Sequence, residues 1–252
     1  MSPRALMELW QRRGTTFGKR SGLLRRNEAL KGIMIDSLAF FQNLQGPILD
    51  VGCGDGIPTA TMAQHHRVIG VDFALTMLQR AKRSLASTDF LRASIDRLPL
   101  QSGSVPAASC YFVLSDYSDG TPLLSELERV LSTQGRLVVA DYSSNDDFNN
   151  LLDKLQRTIL GKDRAMFRLD PRALAGEVEK VGFEVKTSRE ICYSLGTPLE
   201  TFIDQLYLSS VGREYKEKQL SKERWNEFLS DWVEVTEVRV TRRFALVLAE
   251  KP

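Results

Sequence analysis

Cysteine is scarce. The 252 residues hold three, Cys53, Cys110 and Cys192, far apart and never as a CxxC pair. That spacing excludes a zinc knuckle or a dithiol redox centre and predicts reduced, mostly buried thiols; no metal site is expected. The only histidines are the adjacent pair His65 and His66. No apolar run approaches the roughly 18–20 residues that a membrane helix needs. The N-terminus reads Met1-Ser2-Pro3-Arg4 and has no apolar stretch of the secretory kind, so the expected location is cytoplasmic. Charge of one sign is missing too: 34 basic and 32 acidic residues leave a net +2. Internal repeats and low-complexity tracts are absent.

What is present is a hydrophobic fraction of 42%, enough for one large domain with a modest cap. A helix opening at Ser2-Pro3 and closing near Gly14 is expected first. A second spans Asn27 to Phe41, with Leu30, Ile33, Leu38 and Phe41 on one face. After the Gly46-Pro47 break, short apolar runs alternate with amphipathic stretches. Strands are expected at Ile48–Val51, Val68–Asp72, Phe90–Ala93, Ala108–Leu114 and Leu137–Asp141. Helices are expected near Thr59–His66, from Leu75 to Leu85, and at Leu123–Leu131. This alternation implies an α/β fold, a parallel sheet covered by helices on both faces. Ligands in such sheets bind beyond the carboxyl ends of the strands. Phe148–Leu160 and Pro171–Val181 follow as helices, Phe183–Thr187 as a strand, and Phe244–Ala249 as a closing strand.

The central motif is Leu49-Asp50-Val51-Gly52-Cys53-Gly54-Asp55-Gly56, where a buried strand turns into a helix. Glycines there let the backbone turn sharply and approach a ligand. Asp72 ends the next strand, where a carboxylate can accept hydrogen bonds from ribose hydroxyls. Together they indicate a nucleoside-containing cofactor. The dinucleotide fingerprint needs a third glycine where Ile57 stands. A carboxylate at Asp50 would repel a pyrophosphate but suit the amino group of a methionine moiety, which favours S-adenosyl-L-methionine (SAM) over NAD.

The run Ile48–Gly56 resembles motif I of the class I SAM-dependent methyltransferases. Val68-Ile69-Gly70-Val71-Asp72-Phe73, with Met77 and Leu78, resembles their second strand. Asp89–Leu100, ending in Leu98-Pro99, resembles the third strand and its loop. Leu124–Leu131 and Gln134-Gly135-Arg136-Leu137 resemble the approach to the fifth strand. The likeness is greatest to the small-molecule branch that includes the ubiquinone and menaquinone methyltransferases. It implies a doubly wound, seven-stranded, mostly parallel sheet (a Rossmann-like fold) and SAM as cofactor. On this resemblance Asp50, Gly52, Cys53 and Gly54 would line the methionine part and the ribose. Asp72 would hold the ribose hydroxyls. Phe73 would lie against the adenine, with Met77, Ser94, Ile95, Asp96 and Leu114 completing the cofactor site. The family's usual aspartate before Leu-Pro falls at Ser94, and Asp96 is the substitute.

The loop Ser115-Asp116-Tyr117-Ser118-Asp119 follows the fourth strand. Asp116 and Tyr117 are the candidate catalytic residues; Asp141 and Tyr142, ending the fifth strand, are second candidates. His65 and His66 fall at the wrong end of the sheet. The absence of Asn/Asp-Pro-Pro-Tyr and of Pro-Cys after the fourth strand argues against DNA amino or cytosine-C5 methylation.

The organisation expected is an N-terminal helical lid at 1–45, a SAM-binding core at 46–196, a helical lid insertion at 197–239 and a last core strand at 240–252. The lid would use Leu9, Trp10 and Phe17 together with Phe202, Leu206, Trp225, Phe228 and Trp232. The function expected is methyl transfer to a small or medium-sized organic molecule by a monomer or homodimer without a nucleic-acid partner. Two alternatives stand beside it. One is an RNA methyltransferase using the basic segment that contains Arg12, Arg13, Lys19, Arg20, Arg25 and Arg26. The other is a non-catalytic SAM-fold binding subunit.

Overall fold

The computed structural model describes residues 28–161, 163, 166–198, 201–202, 229, 233–234 and 237–252. The expected helix at Ser2, the basic segment, and Leu9, Trp10, Phe17, Leu206, Trp225, Phe228 and Trp232 lie outside the described residues. In chain order the elements are α1 (Glu28–Phe40), β1 (Ile48–Val51), α2 (Ile57–Met62), β2 (Val68–Asp72), α3 (Leu75–Ser84), β3 (Asp89–Arg92), β4 (Val105–Tyr111), a 3₁₀ turn (Leu114–Asp116), α4 (Thr121–Val130), β5 (Leu131–Tyr142), α5 (Asp147–Leu160), α6 (Pro171–Lys180), β6 (Glu184–Pro198), β7 (Val233–Glu234) and β8 (Glu237–Glu250).

The sheet runs β3-β2-β1-β4-β5-β8-β6, with the short β7 paired to β8. The pairings from β3 through β5 are parallel, whereas β8 runs antiparallel to β5, Arg136 opposite Glu250 and Tyr142 opposite Phe244. With β7 set aside, the seven strands of the main path form the doubly wound, mostly parallel sheet that the resemblance implies. Strand order reverses between β1 and β4, and a crevice opens at such a switch point.

The sequence explains most of these elements. The four residues of β1 are all buried, as a central parallel strand requires. Helix α3 buries Met77, Leu78 and Ala81 on one face and carries Lys82 and Arg83 in its last turn, where cations suit the helix dipole. Helix α4 starts at Thr121-Pro122 and buries Leu123, Leu124, Leu127 and Val130. Asp170 caps α6 by accepting from the Ala173 N–H at 2.9 Å.

Several boundaries differ from expectation, and β5 begins at Leu131 rather than at Leu137. β4 begins at Val105 rather than Ala108, because a register break between Val105 and Ala107 accommodates Pro106. It ends at Tyr111, and Leu114 belongs to the 3₁₀ turn. β6 and β8 are far longer than the apolar runs Phe183–Thr187 and Phe244–Ala249 suggested, so strand reaches Pro198 and resumes at Glu237 within or beside the segment expected as helical lid. Thr201, Phe202 and Leu229 are helical.

The chain divides into two compact units: Met1–Ser143 with Ala165–Ile191 and Phe244–Pro252, and Ser144–Arg164 with Cys192–Arg243. In the first, the core joins Leu49, Val51 and Val71 to Leu124, Leu127 and Leu137 and to Val178, Phe183 and Val247. In the second, Asp146 caps α5 by accepting from the Asn149 N–H at 3.0 Å, and also receives the Arg242 guanidinium at 2.8 Å. That guanidinium lies 4.8 Å from the centre of the Phe148 ring, which meets Phe202 edge-on. Among the described residues no helix is long and apolar enough to cross a membrane.

Candidate active site

A cleft opens over the carboxyl ends of β1, β2 and β4. Its lining includes Gly52, Cys53, Gly54 and Asp55 from the glycine turn, Asp72, Phe73 and Met77 after β2, Ile95 after β3, and Tyr111, Phe112, Val113, Asp116 and Tyr117 after β4. Leu30 of α1 closes one side.

The turn is built around Gly52, whose φ of +73° places it in the left-handed region. A Cβ there would stand 2.3 Å from a Val113 methyl, so the glycine also allows β1 and the loop after β4 to close on each other. The Gly52 and Cys53 N–H groups both donate to the Val71 carbonyl, at 2.8 and 3.0 Å. Asp72 locks the turn from the other side, accepting from the Gly54 N–H at 3.0 Å and the Ala74 N–H at 2.7 Å. Burial pushes the Asp72 carboxyl above its usual range while these bonds pull it back. Each carboxylate oxygen keeps acceptor capacity for a ribose hydroxyl.

Asp50 behaves otherwise. It is buried, 1% exposed, and is not among the residues lining the cleft. Thr59 Oγ1 of α2 donates to it at 2.5 Å and Ser109 Oγ of β4 at 2.9 Å. Burial pushes its carboxyl up to about 6 against those hydrogen bonds. In this structure Asp50 ties β1 to α2 and β4. Ser94, Asp96 and Leu114 are also absent from the lining. The Ser94 hydroxyl donates to Asp96, and Leu114 is buried in the hydrophobic core.

The fold does bring Asp116 and Tyr117 to the cleft. The Tyr117 N–H donates to the Leu114 carbonyl at 2.9 Å, and its own carbonyl receives the Phe167 N–H at 3.0 Å. Burial drives the Tyr117 hydroxyl well above its ordinary range, so near neutral pH it is a hydrogen-bond donor rather than a base. Burial likewise raises the Cys53 and Cys110 thiols, which makes them inert; Cys192 is exposed. Asp141 is 4% exposed and turns inward, so it does not meet the cleft as its second-candidate role required. Among the described residues no group of three or more His, Cys, Asp or Glu side chains could hold a metal ion.

Sequence reasoning missed Leu30, Tyr111, Phe112 and Val113. Phe112 has φ +58°, which no propensity reveals. Its ring is held in a cluster with Tyr142, at 5.3 Å, and Phe244, at 5.6 Å.

A glycine turn bridged to a strand-end carboxylate at the switch point of a parallel sheet defines a class of protein. Residues 49–139 match the methyltransferase domain family, and the chain resembles the class I SAM-dependent methyltransferases. A demethylmenaquinone methyltransferase of Beutenbergia cavernae is 35% identical over 38% of this chain and 41% of its own length. A ubiquinone/menaquinone biosynthesis C-methyltransferase of Campylobacter jejuni is 22% identical over 76% of this chain and 94% of its own. A methyltransferase-fold structure from Bacillus halodurans superposes with a TM-score of 0.63 at 19% identity, covering 90% of this chain and all of that one. The match spans only 34–41% of the length of the first curated relatives.

Proposed function

We propose that this protein is a SAM-dependent methyltransferase acting on a small or medium-sized organic molecule. One observation carries the reading: the Asp72 carboxylate grips both the Gly54 N–H of the glycine turn and the Ala74 N–H at the start of α3, leaving acceptor capacity at the cleft. The residues fit the cofactor. Asp72 would take the ribose, Phe73, Met77 and Ile95 the adenine, and Gly52 to Gly54 the region where a side chain would obstruct a ligand. SAM supplies an electrophilic methyl group on a sulfonium.

The chain's own contribution is orientation and exclusion of water, which alone accounts for accelerations worth about 7–11 kcal/mol in favourable systems. Tyr117, held protonated, orients the acceptor by donating a hydrogen bond. Asp116 is the neighbouring side chain able to accept a proton from an acceptor that must lose one. The Beutenbergia and Campylobacter relatives make a demethylmenaquinone-type ring the first acceptor to try.

The test is direct. Purified protein, SAM and either that acceptor or a metabolite extract are incubated, and products heavier by one methylene are sought by mass spectrometry. A methylated product together with SAM binding in calorimetry is expected. Failure to bind SAM, or tight NAD binding instead, rejects the reading.

A further inference from the structure

We infer that Asp141 is a positioning residue for the acceptor side of the cleft: from the end of β5 it holds the 3₁₀ turn that presents Asp116 and Tyr117. The inference rests on the methyl-transfer reading for its kinetic consequence, though not for its geometry.

Asp141 is the penultimate residue of β5, the strand next to β4, and its side chain lies beneath the loop that leaves β4. One carboxylate oxygen accepts from the Ser115 N–H at 3.0 Å and the other from the Tyr142 N–H at 2.7 Å. Ser115 is itself 3% exposed. Within the turn the Asp116 N–H donates to the Val113 carbonyl at 3.1 Å and the Tyr117 N–H to that of Leu114 at 2.9 Å. A 3₁₀ turn this short does not hold its shape by itself. The buried carboxylate therefore fixes Ser115, and with it the two side chains that follow into the cleft. Tyr142, the next residue, packs on Phe112 and steadies the start of the same loop.

The arrangement depends on ionisation. Burial pushes the Asp141 carboxyl up to about 6, and the Ser115 N–H and hydroxyl, with the Tyr142 and Leu114 N–H groups, pull it back. From β4 it faces Cys110, which burial keeps neutral; its register partner on β8 is Ala245. Above about 6 the carboxylate accepts from the Ser115 and Tyr142 N–H groups; as pH falls through that value it gains a proton, and its grip on the turn weakens.

The experiment compares wild type, Asp141→Asn and Asp141→Glu by turnover at saturating SAM, SAM affinity in calorimetry, and amide hydrogen exchange of peptides covering 112–118. Asp141→Asn points an amide N–H₂ at a backbone donor. It should lower kcat roughly tenfold or more with SAM affinity within about twofold of wild type. It should also speed exchange at Ser115 and flatten the acid limb of the kcat profile near pH 6. Asp141→Glu should restore part of kcat at pH 8. Unchanged exchange at Ser115 in Asp141→Asn overturns the proposal whatever the activity. Loss of SAM binding in parallel with kcat also overturns it, because the residue would then be generally structural. Wild type that binds no SAM but shows faster Ser115 exchange in the variant rejects methyl transfer and leaves the positioning role standing.

Discussion

At the scale of single residues, the lining of the cleft was only partly legible. Asp72 could be placed at the cleft because a residue closing the second strand after a glycine turn stands at the carboxyl end of the sheet. Asp116 and Tyr117 could be read because the loop after the fourth strand must open over the cleft. Asp50 was misleading: its place in the motif suggests a ligand contact, yet Thr59 and Ser109 claim it, and Ser109 is brought in by a strand pairing that no local pattern encodes. Phe112 was invisible because its left-handed backbone is imposed by the loop and the surrounding rings. The prediction at this scale concerns Asp72. Asp72→Ala removes charge-assisted hydrogen bonds worth about 1.5–3 kcal/mol each. SAM affinity should fall roughly tenfold or more in calorimetry, with the far-UV circular dichroism spectrum retained. Unaltered affinity would remove Asp72 from the cofactor site.

Elements were easiest to read where buried apolar runs and helix faces alternate, from β1 through β3. They were hardest to read where polar strands continue past their apolar centres. β8 carries Arg239, Arg242 and Arg243 before the run from Phe244 to Ala249, so apolar content alone marks only its second half. Pro106 is a residue that strands rarely hold in their interior, and a register break makes room for it in β4. The glycine turn joins two such elements, and its weak point is steric. Gly52→Ala puts a methyl group 2.3 Å from Val113 in a backbone region that non-glycine residues avoid. Val113 must then move, and it lines the cleft. Stability should drop by about 1–3 kcal/mol, the range for overpacking plus backbone strain, and SAM binding should weaken more than tenfold. Urea unfolding and calorimetry check this together. Wild-type values for both would mean the turn is looser than the structure shows.

For the molecule as a whole, the buried carboxyls of Asp50 and Asp141 contribute a pH dependence. Asp50 and Asp141 are each pushed by burial from 3.8 to about 6. A folded-state value above the unfolded one means the folded protein binds these protons more tightly. The resulting stability is fully present below pH 3.8 and is lost as pH rises through about 6. At about 1.4 kcal/mol per pH unit, each group is worth on the order of 3 kcal/mol across that window. The urea midpoint of the ligand-free protein should therefore rise on going from pH 7 to pH 5, and Asp50→Asn should flatten the rise. A midpoint that falls over that interval, or one that Asp50→Asn leaves untouched, would contradict it. Turnover, held by ionised Asp141, would weaken over the same interval, so the acidic conditions that favour folding oppose catalysis.

The place of β8 in the sheet bears on how the chain is made. β5 finds its antiparallel neighbour only across about 100 residues of later sequence, Tyr142 opposite Phe244. A ribosome adding roughly 5–20 residues per second leaves that edge of β5 bare for some 5–20 seconds. During that interval the nascent polypeptide presents an open, apolar strand edge to everything around it. Contacts so distant in sequence also make the final step slow. Newly made copies of this protein are thus at their most vulnerable before release, and chaperones that shield exposed strand edges would serve it best in those seconds.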